Sequence, residues 1–229
     1  GKGARLQRAL VQYFLDKNKS PKMVLIDDYL KQAKNILEDL KSRKLLRNAN
    51  QAYWTTINED SHKKLSQAWC NPYFYQGISG IALTFLYGYL IFSDIEYKTI
   101  LEQCLNSIVS NIKFDHHSLG AFSGIGGIIY LLDKVAQHCP ELGTKALLNN
   151  YLDNFKQDSF LSYLANTQEI DIISGSAGLL TSLSQLKSVI PDRSTIQILM
   201  QHIIDNCPNP KYAPRNHHKS KPFLLGYSH

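Results

Sequence analysis

Three stretches of the chain repeat one pattern: a turn of small residues with two glycines three apart, then a run of apolar residues with few charges. Gln76-Gly77-Ile78-Ser79-Gly80 leads into Ile81, Leu83, Phe85 and Leu86. Ser123-Gly124-Ile125-Gly126-Gly127 leads into Ile128, Ile129, Leu131 and Leu132. Ser174-Gly175-Ser176-Ala177-Gly178 leads into Leu179, Leu180 and Leu183. A helix that is apolar on most sides is buried on most sides, so these three read as inner helices. The segments between them, Tyr97 to Ile112 and Lys145 to Phe155, carry charge on one side and read as outer helices with a solvated face. The first glycines, Gly77, Gly124 and Gly175, lie 47 and 51 residues apart. That is the length of a helical hairpin, the unit of helical arrays and closed α/α barrels.

Glycine pairs allow unusual backbone angles and close approach of a second chain segment. Ser123, Ser174 and Ser176 are expected to cap helix starts through their hydroxyls. Ahead of the repeats, residues 1–50 read as helical, a lead-in from an upstream domain or the first outer layer: Val24, Ile26, Leu30, Ala33, Ile36, Leu37 and Leu40 follow helical spacing. Residues 51–76 mix aromatics with polar residues, and Asn71-Pro72 marks a turn. Tyr53, Trp54, Trp69, Tyr73, Phe74 and Tyr75 are expected to wedge a loop against a core, with a peptide groove as the alternative. Pro191 is expected to start the third outer helix, through Ile196, Leu199, Met200 and Ile203.

With 229 residues and 44% hydrophobic content, the chain suffices for one good-sized domain or a small pair. The net charge of +6 is scattered. Its densest group (Lys31, Lys34, Lys41, Arg43, Lys44, Arg47) reads as solvated surface, so no nucleic-acid partner is expected. Tyr73 to Phe92 is the stretch closest to a membrane span, but its glycines, tyrosines and Gln76 argue for a buried protein helix. Cys70, Cys104, Cys139 and Cys207 form no C-x-x-C pair and read as separate reduced thiols in a cytoplasmic protein without a legible signal peptide. The adjacent pairs His116-His117 and His217-His218 point apart in either a helix or a strand, which makes them poor metal pairs. Both ends read as cut: the chain starts at Gly1, and Gly226-Tyr227-Ser228-His229 looks like the beginning of a further repeat.

Phe74-Tyr75-Gln76-Gly77-Ile78-Ser79-Gly80-Ile81-Ala82, Leu119-Gly120-Ala121-Phe122-Ser123-Gly124-Ile125-Gly126-Gly127, Asp171-Ile172-Ile173-Ser174-Gly175-Ser176-Ala177-Gly178 and Gly226-Tyr227-Ser228-His229 resemble, in that order, the first motifs of the lanthionine synthetase cyclases. The wording is closest to the cyclase domain of the bifunctional class II enzymes, which carry a dehydratase domain upstream. Any one motif is weak, and four in the family's order are fairly specific. Ala52-Tyr53-Trp54-Thr55-Thr56-Ile57 also resembles the run leading into such domains.

The resemblance implies an all-α fold, an α/α toroid with an inner ring of helices inside an outer one. Here it would be incomplete, with residues 51–229 as its N-terminal half. The implied reaction is an intramolecular Michael-type addition, in which a cysteine thiol of a precursor peptide attacks dehydroalanine or dehydrobutyrine and forms a thioether ring. Family members hold zinc through two cysteines and a histidine, which makes the substrate thiol a thiolate. Residue by residue, His229 matches the histidine of the family's G-x-x-H-G motif, proposed as acid/base. Asp171 matches the aspartate before the third glycine turn, proposed to orient or assist that histidine. An aspartate in that place is also a common helix cap.

The zinc ligands are expected in later repeats, beyond His229, and none of the four cysteines falls in a matching motif. A chain ending at His229 is therefore expected to bind no catalytic zinc, to be inactive alone, and to associate through exposed apolar surface. Two other readings stand beside this one. The first is a helical-repeat module that binds a peptide without chemistry. The second is another α/α toroid enzyme, such as a glycoside hydrolase or terpene cyclase, which needs paired acidic residues across a cleft or aspartate-rich metal motifs. The adjacent acidic pairs Asp27-Asp28, Glu38-Asp39 and Glu59-Asp60 look like helix surface or turn instead.

Overall fold

The computed structural model describes residues 26–59, 64–112 and 118–207. Contacts gather the chain into two units, Gly1–Asp39 and Leu40–His229. Helix α1 (Ile26–Ser42) covers the expected periodic segment from Ile26 to Leu40, and Val24 lies outside the described residues. Leu30 and Ile36 of its apolar stripe remain exposed.

After α1 the chain forms two small antiparallel hairpins: β1 (Leu45–Asn48) with β2 (Gln51–Tyr53), and β3 (Thr55–Glu59) with β4 (Leu65–Trp69). The sequence reading put helix and loop here, and the first hairpin runs through position 50, where the lead-in was expected to end. The reason is tertiary. On helix α3 (Ile95–Asn111), Gln103 and Asn106 donate to the carbonyls of Ala49 and Asn50 at 3.0 and 3.1 Å, and the Ser107 hydroxyl donates to that of Ala52 at 2.7 Å. Short strands of this kind need such packing to persist.

The rest of the described chain is helical and falls into the two expected layers. Inner helices α2 (Ile78–Phe92), α4 (Ile125–His138) and α7 (Ser176–Ser184) pack in sequence, α2 on α4 and α4 on α7. Each carries an outer helix: α3 on α2, α5 (Thr144–Asn154) on α4, and α8 (Arg193–Asn206) on α7. This is an arc of an α/α toroid. A further helix, α6 (Asp158–Asn166), follows α5 after a break, and Phe155 and Phe160 pack at that corner with ring centroids 4.9 Å apart. Helix α8 begins two residues after Pro191, where the Asp192 side chain accepts from the Thr195 amide at 3.4 Å.

Position in the arc decides burial. The middle inner helix α4 has inner neighbours on both sides, and Ile128, Ile129, Leu131, Leu132 and Val135 are all fully covered. Helix α2 has one such neighbour among the described residues and leaves Tyr87, Leu90 and Ile91 exposed. The aromatics ahead of α2 divide in the same way. Tyr53 and Trp54 wedge against the core as expected, with the Trp54 indole donating to the Leu40 carbonyl at 2.8 Å, whereas Trp69 and Tyr75 face solvent. No helix among the described residues is long and apolar enough to cross a membrane.

Candidate active site

The three glycine turns lie side by side at the N-termini of α2, α4 and α7. Each inner helix is capped by a main-chain carbonyl seven residues back: Asn71 accepts from the Ile78 amide at 2.7 Å, Ser118 from Ile125 at 3.0 Å, and Glu169 from Ser176 at 3.0 Å. This corrects the expectation of serine caps. The N-caps are Gly77, Gly124 and Gly175, none with a side-chain cap bond. Ser123 donates to the Ile173 carbonyl at 3.0 Å, Ser174 to the Asp171 carboxylate at 3.0 Å, and Ser176 meets His202.

The glycines serve close approach. All three N-cap glycines have extended backbones that any residue adopts. A Cβ at Gly77, Gly124 or Gly175 would overlap the backbone of the residue four positions earlier, Tyr73, Gly120 or Asp171. At the second glycines, Gly127 and Gly178, it would overlap the carbonyl oxygen six positions earlier, that of Ala121 or Ile172. The turn folds back onto the first helical residues, and only a hydrogen fits between them.

The turns are also laced to one another. Phe74 and Tyr75 donate their amides to the Phe122 carbonyl at 3.0 and 2.9 Å. Ala121 donates to Ile172 at 3.0 Å, Phe122 and Ser123 to Ile173 at 3.2 and 3.0 Å, and Leu119 and Gly120 to Ser174 at 3.0 and 2.9 Å. On the outside of this backbone layer, Tyr75, Phe122 and Ile172 are exposed, and the rings of Tyr75 and Phe122 lie 5.7 Å apart. They make a short apolar line across three repeats.

Asp171 sits half-buried in the third turn. Its Oδ1 accepts the amides of Ile173 and Ser174 at 2.7 and 2.9 Å, and Oδ2 accepts the Ser174 hydroxyl at 3.0 Å. The side chain therefore caps its own turn rather than the helix. A carboxylate has about four acceptor positions, so three donors leave Oδ2 room for one more. His229, the other expected site residue, lies outside the described residues, as do His116-His117 and His217-His218.

Two further polar side chains escaped the sequence reading, one in the C-terminal half of α4, away from the turns, and one on α8. Asp133 of α4 is fully buried, and its Oδ1 accepts from the Lys187 and Ser188 amides at 3.0 and 2.8 Å and from the Ser188 hydroxyl at 2.6 Å. Its signal was an acid inside the run Ile128 to Val135. His202 of α8 is buried three residues after Leu199, on the apolar stripe of that helix. Among the described residues no three His, Cys, Asp or Glu side chains converge as a metal site would need. The thiols of Cys104 and Cys139 are fully buried, and desolvation pushes both up from the usual range. The described residues thus do not furnish a zinc site.

The sequence of the chain matches the family model of the lanthionine synthetase C-like proteins over residues 72–229. The chain belongs to that family. Over 132 residues it is 27% identical to the lacticin 481/lactococcin biosynthesis protein LcnDR2 of Lactococcus lactis subsp. lactis. That match takes in 56% of this chain and 14% of the relative's length.

Proposed function

We propose that this chain is the N-terminal part of the cyclase domain of a lanthipeptide synthetase, acting in the cytoplasm on a ribosomally made precursor peptide. The domain's reaction is the addition of a peptide cysteine thiol to dehydroalanine or dehydrobutyrine. The thiol gives up its proton, sulfur attacks the β-carbon, and the α-carbon of the resulting enolate takes a proton. Asp171 and His229 are the acid–base pair. Imidazole exchanges protons near neutral pH, and a carboxylate fixes its tautomer. The observation that carries this reading is the place of Asp171: it stands at the turn end of the inner helices, with one acceptor position of Oδ2 open to a further donor. The family's zinc ligands would come from later repeats, beyond His229.

The test uses the complete synthetase with its dehydrated precursor peptide. Uncyclised cysteines are counted by thiol alkylation and mass spectrometry. Asp171→Asn and His229→Asn are each expected to slow ring formation at least tenfold while the peptide still binds. Wild-type ring formation in a folded Asp171→Asn enzyme refutes the acid–base assignment.

The exposed line Tyr75, Phe122, Ile172 favours a second reading, a surface that holds a peptide without chemistry. Zinc analysis of this chain extended through the remaining repeats separates the two. One zinc per molecule supports the cyclase, and none moves the assignment to a peptide-binding module.

A further inference from the structure

His202 is the one buried histidine among the described residues, 8% exposed, and the chemistry proposed above does not use it. Its Nε2 lies 3.0 Å from the Thr167 carbonyl oxygen and its Nδ1 lies 3.0 Å from the Ser176 hydroxyl. A carbonyl only accepts, so Nε2 carries the hydrogen. In the tautomer with hydrogen on Nε2, Nδ1 accepts from the Ser176 hydroxyl.

The two partners bracket a single segment. Thr167 opens it, Ser176 closes it at the first residue of α7, and Asp171 lies between them. The ends are tied to the turn itself: the Glu169 amide donates to the Thr167 hydroxyl at 3.3 Å, the Ser176 amide to Glu169 at 3.0 Å, and the Gly175 amide to Asp171 at 3.1 Å.

The repeats supply an internal control. The place of Ser176, directly after the N-cap glycine, belongs to Ile78 and Ile125 in the other two repeats, and both are buried. Those repeats plug the helix start with an apolar side chain. The repeat that carries Asp171 replaces the plug with a hydroxyl and an imidazole. Buried polar groups must be paired in a fixed geometry, so this substitution exchanges non-directional packing for directional hold.

We propose that His202 is a positioning residue for Asp171, clamping both ends of the turn so that the carboxylate keeps its aim. The proposal rests on the reading of Asp171 as part of the acid–base pair. It is tested in the complete synthetase with a dehydrated precursor, measuring kcat and KM for ring formation and the thermal melting of each variant. His202→Phe keeps the ring's bulk and removes both hydrogen bonds. It is expected to lower kcat about tenfold with KM within about twofold, in protein still folded at the assay temperature. Ser176→Ala deletes one hydroxyl and is expected to lower kcat at least threefold. This milder variant carries the test should His202→Phe not fold.

The double variant with Asp171→Asn decides whether the effect runs through the carboxylate. His202→Phe in that background is expected to cost less than threefold further. A full, multiplicative loss there, or unchanged kcat in folded Ser176→Ala, overturns the proposal. Wild-type kcat in Asp171→Asn alone overturns the acid–base reading beneath it, and is told apart by involving no change at His202.

Discussion

Tyr75 donates its amide to the carbonyl of Phe122 at 2.9 Å, and the two residues hold the same place in successive repeats, 47 positions apart. The step recurs from the Phe122 amide to Ile173 at 3.2 Å. The turns thus form a backbone layer of their own across the ends of the inner helices. It sets where each helix starts relative to the next, and so where Asp171 stands.

Overfilling this layer should be costly. A Cβ at Gly178 would overlap the Ile172 carbonyl and the Ala121 amide, neither of which can turn aside. Gly178→Ala is expected to lose about 3 kcal/mol or more in urea unfolding. Gly143 is the control, with φ of 68° and open space around it. Gly143→Ala meets only backbone strain and is expected to lose about 1 kcal/mol. The reverse order would contradict the interlocked turns.

Asp133 joins α4 to the segment before α8 with no counter-ion at hydrogen-bond distance. The Lys134 ammonium stands 3.8 Å from Oδ2, and the other partners are neutral, Gln137 among them. Asp133→Ala leaves the Lys187 and Ser188 donors unpaired and is expected to cost about 3 kcal/mol or more in urea unfolding. Asp133→Asn keeps an acceptor oxygen and should lose less.

Burial pushes the Cys104 thiol far above its usual range, so the folded chain keeps that proton where the unfolded chain releases it. The unfolded state then binds fewer protons, and stability falls as pH rises above about 8.5, where an unperturbed thiol ionises. Urea unfolding between pH 7 and 10.5 is expected to show a steeper decline for the native sequence than for Cys104→Ala. The difference in slope should approach about 1.4 kcal/mol per pH unit. Parallel curves would contradict the burial of this thiol.

The two tryptophans differ in exposure, 4% for Trp54 and 63% for Trp69. Iodide should quench the native fluorescence in two populations. Trp69→Phe is expected to remove the accessible one, and Trp54→Phe to leave it. Equal quenching of both would contradict the wedged position of Trp54.

The inner helices were legible in the sequence because their burial needs apolar residues on nearly every side, as in Ile128 to Leu132. The outer helices were legible because they need one charged face. The glycine pairs announced close approach, and Asp171 stood out by its place before the third pair. The hairpins were not legible. Leu45–Asn48 and Gln51–Tyr53 carry no alternation of their own and depend on Gln103, Asn106 and Ser107 of α3, more than 50 residues away.

Local composition therefore determined where the inner and outer helices of the repeats lie and where their glycine turns fall, since these depend on neighbours within a few residues. Only the tertiary structure decided what completes each polar group. Main-chain carbonyls replaced the expected serine caps at the starts of α4 and α7. Asp133 found its donors 54 and 55 positions away. Ser176 was given to His202, because a buried donor or acceptor takes whichever partner the packed chain brings within about 3 Å.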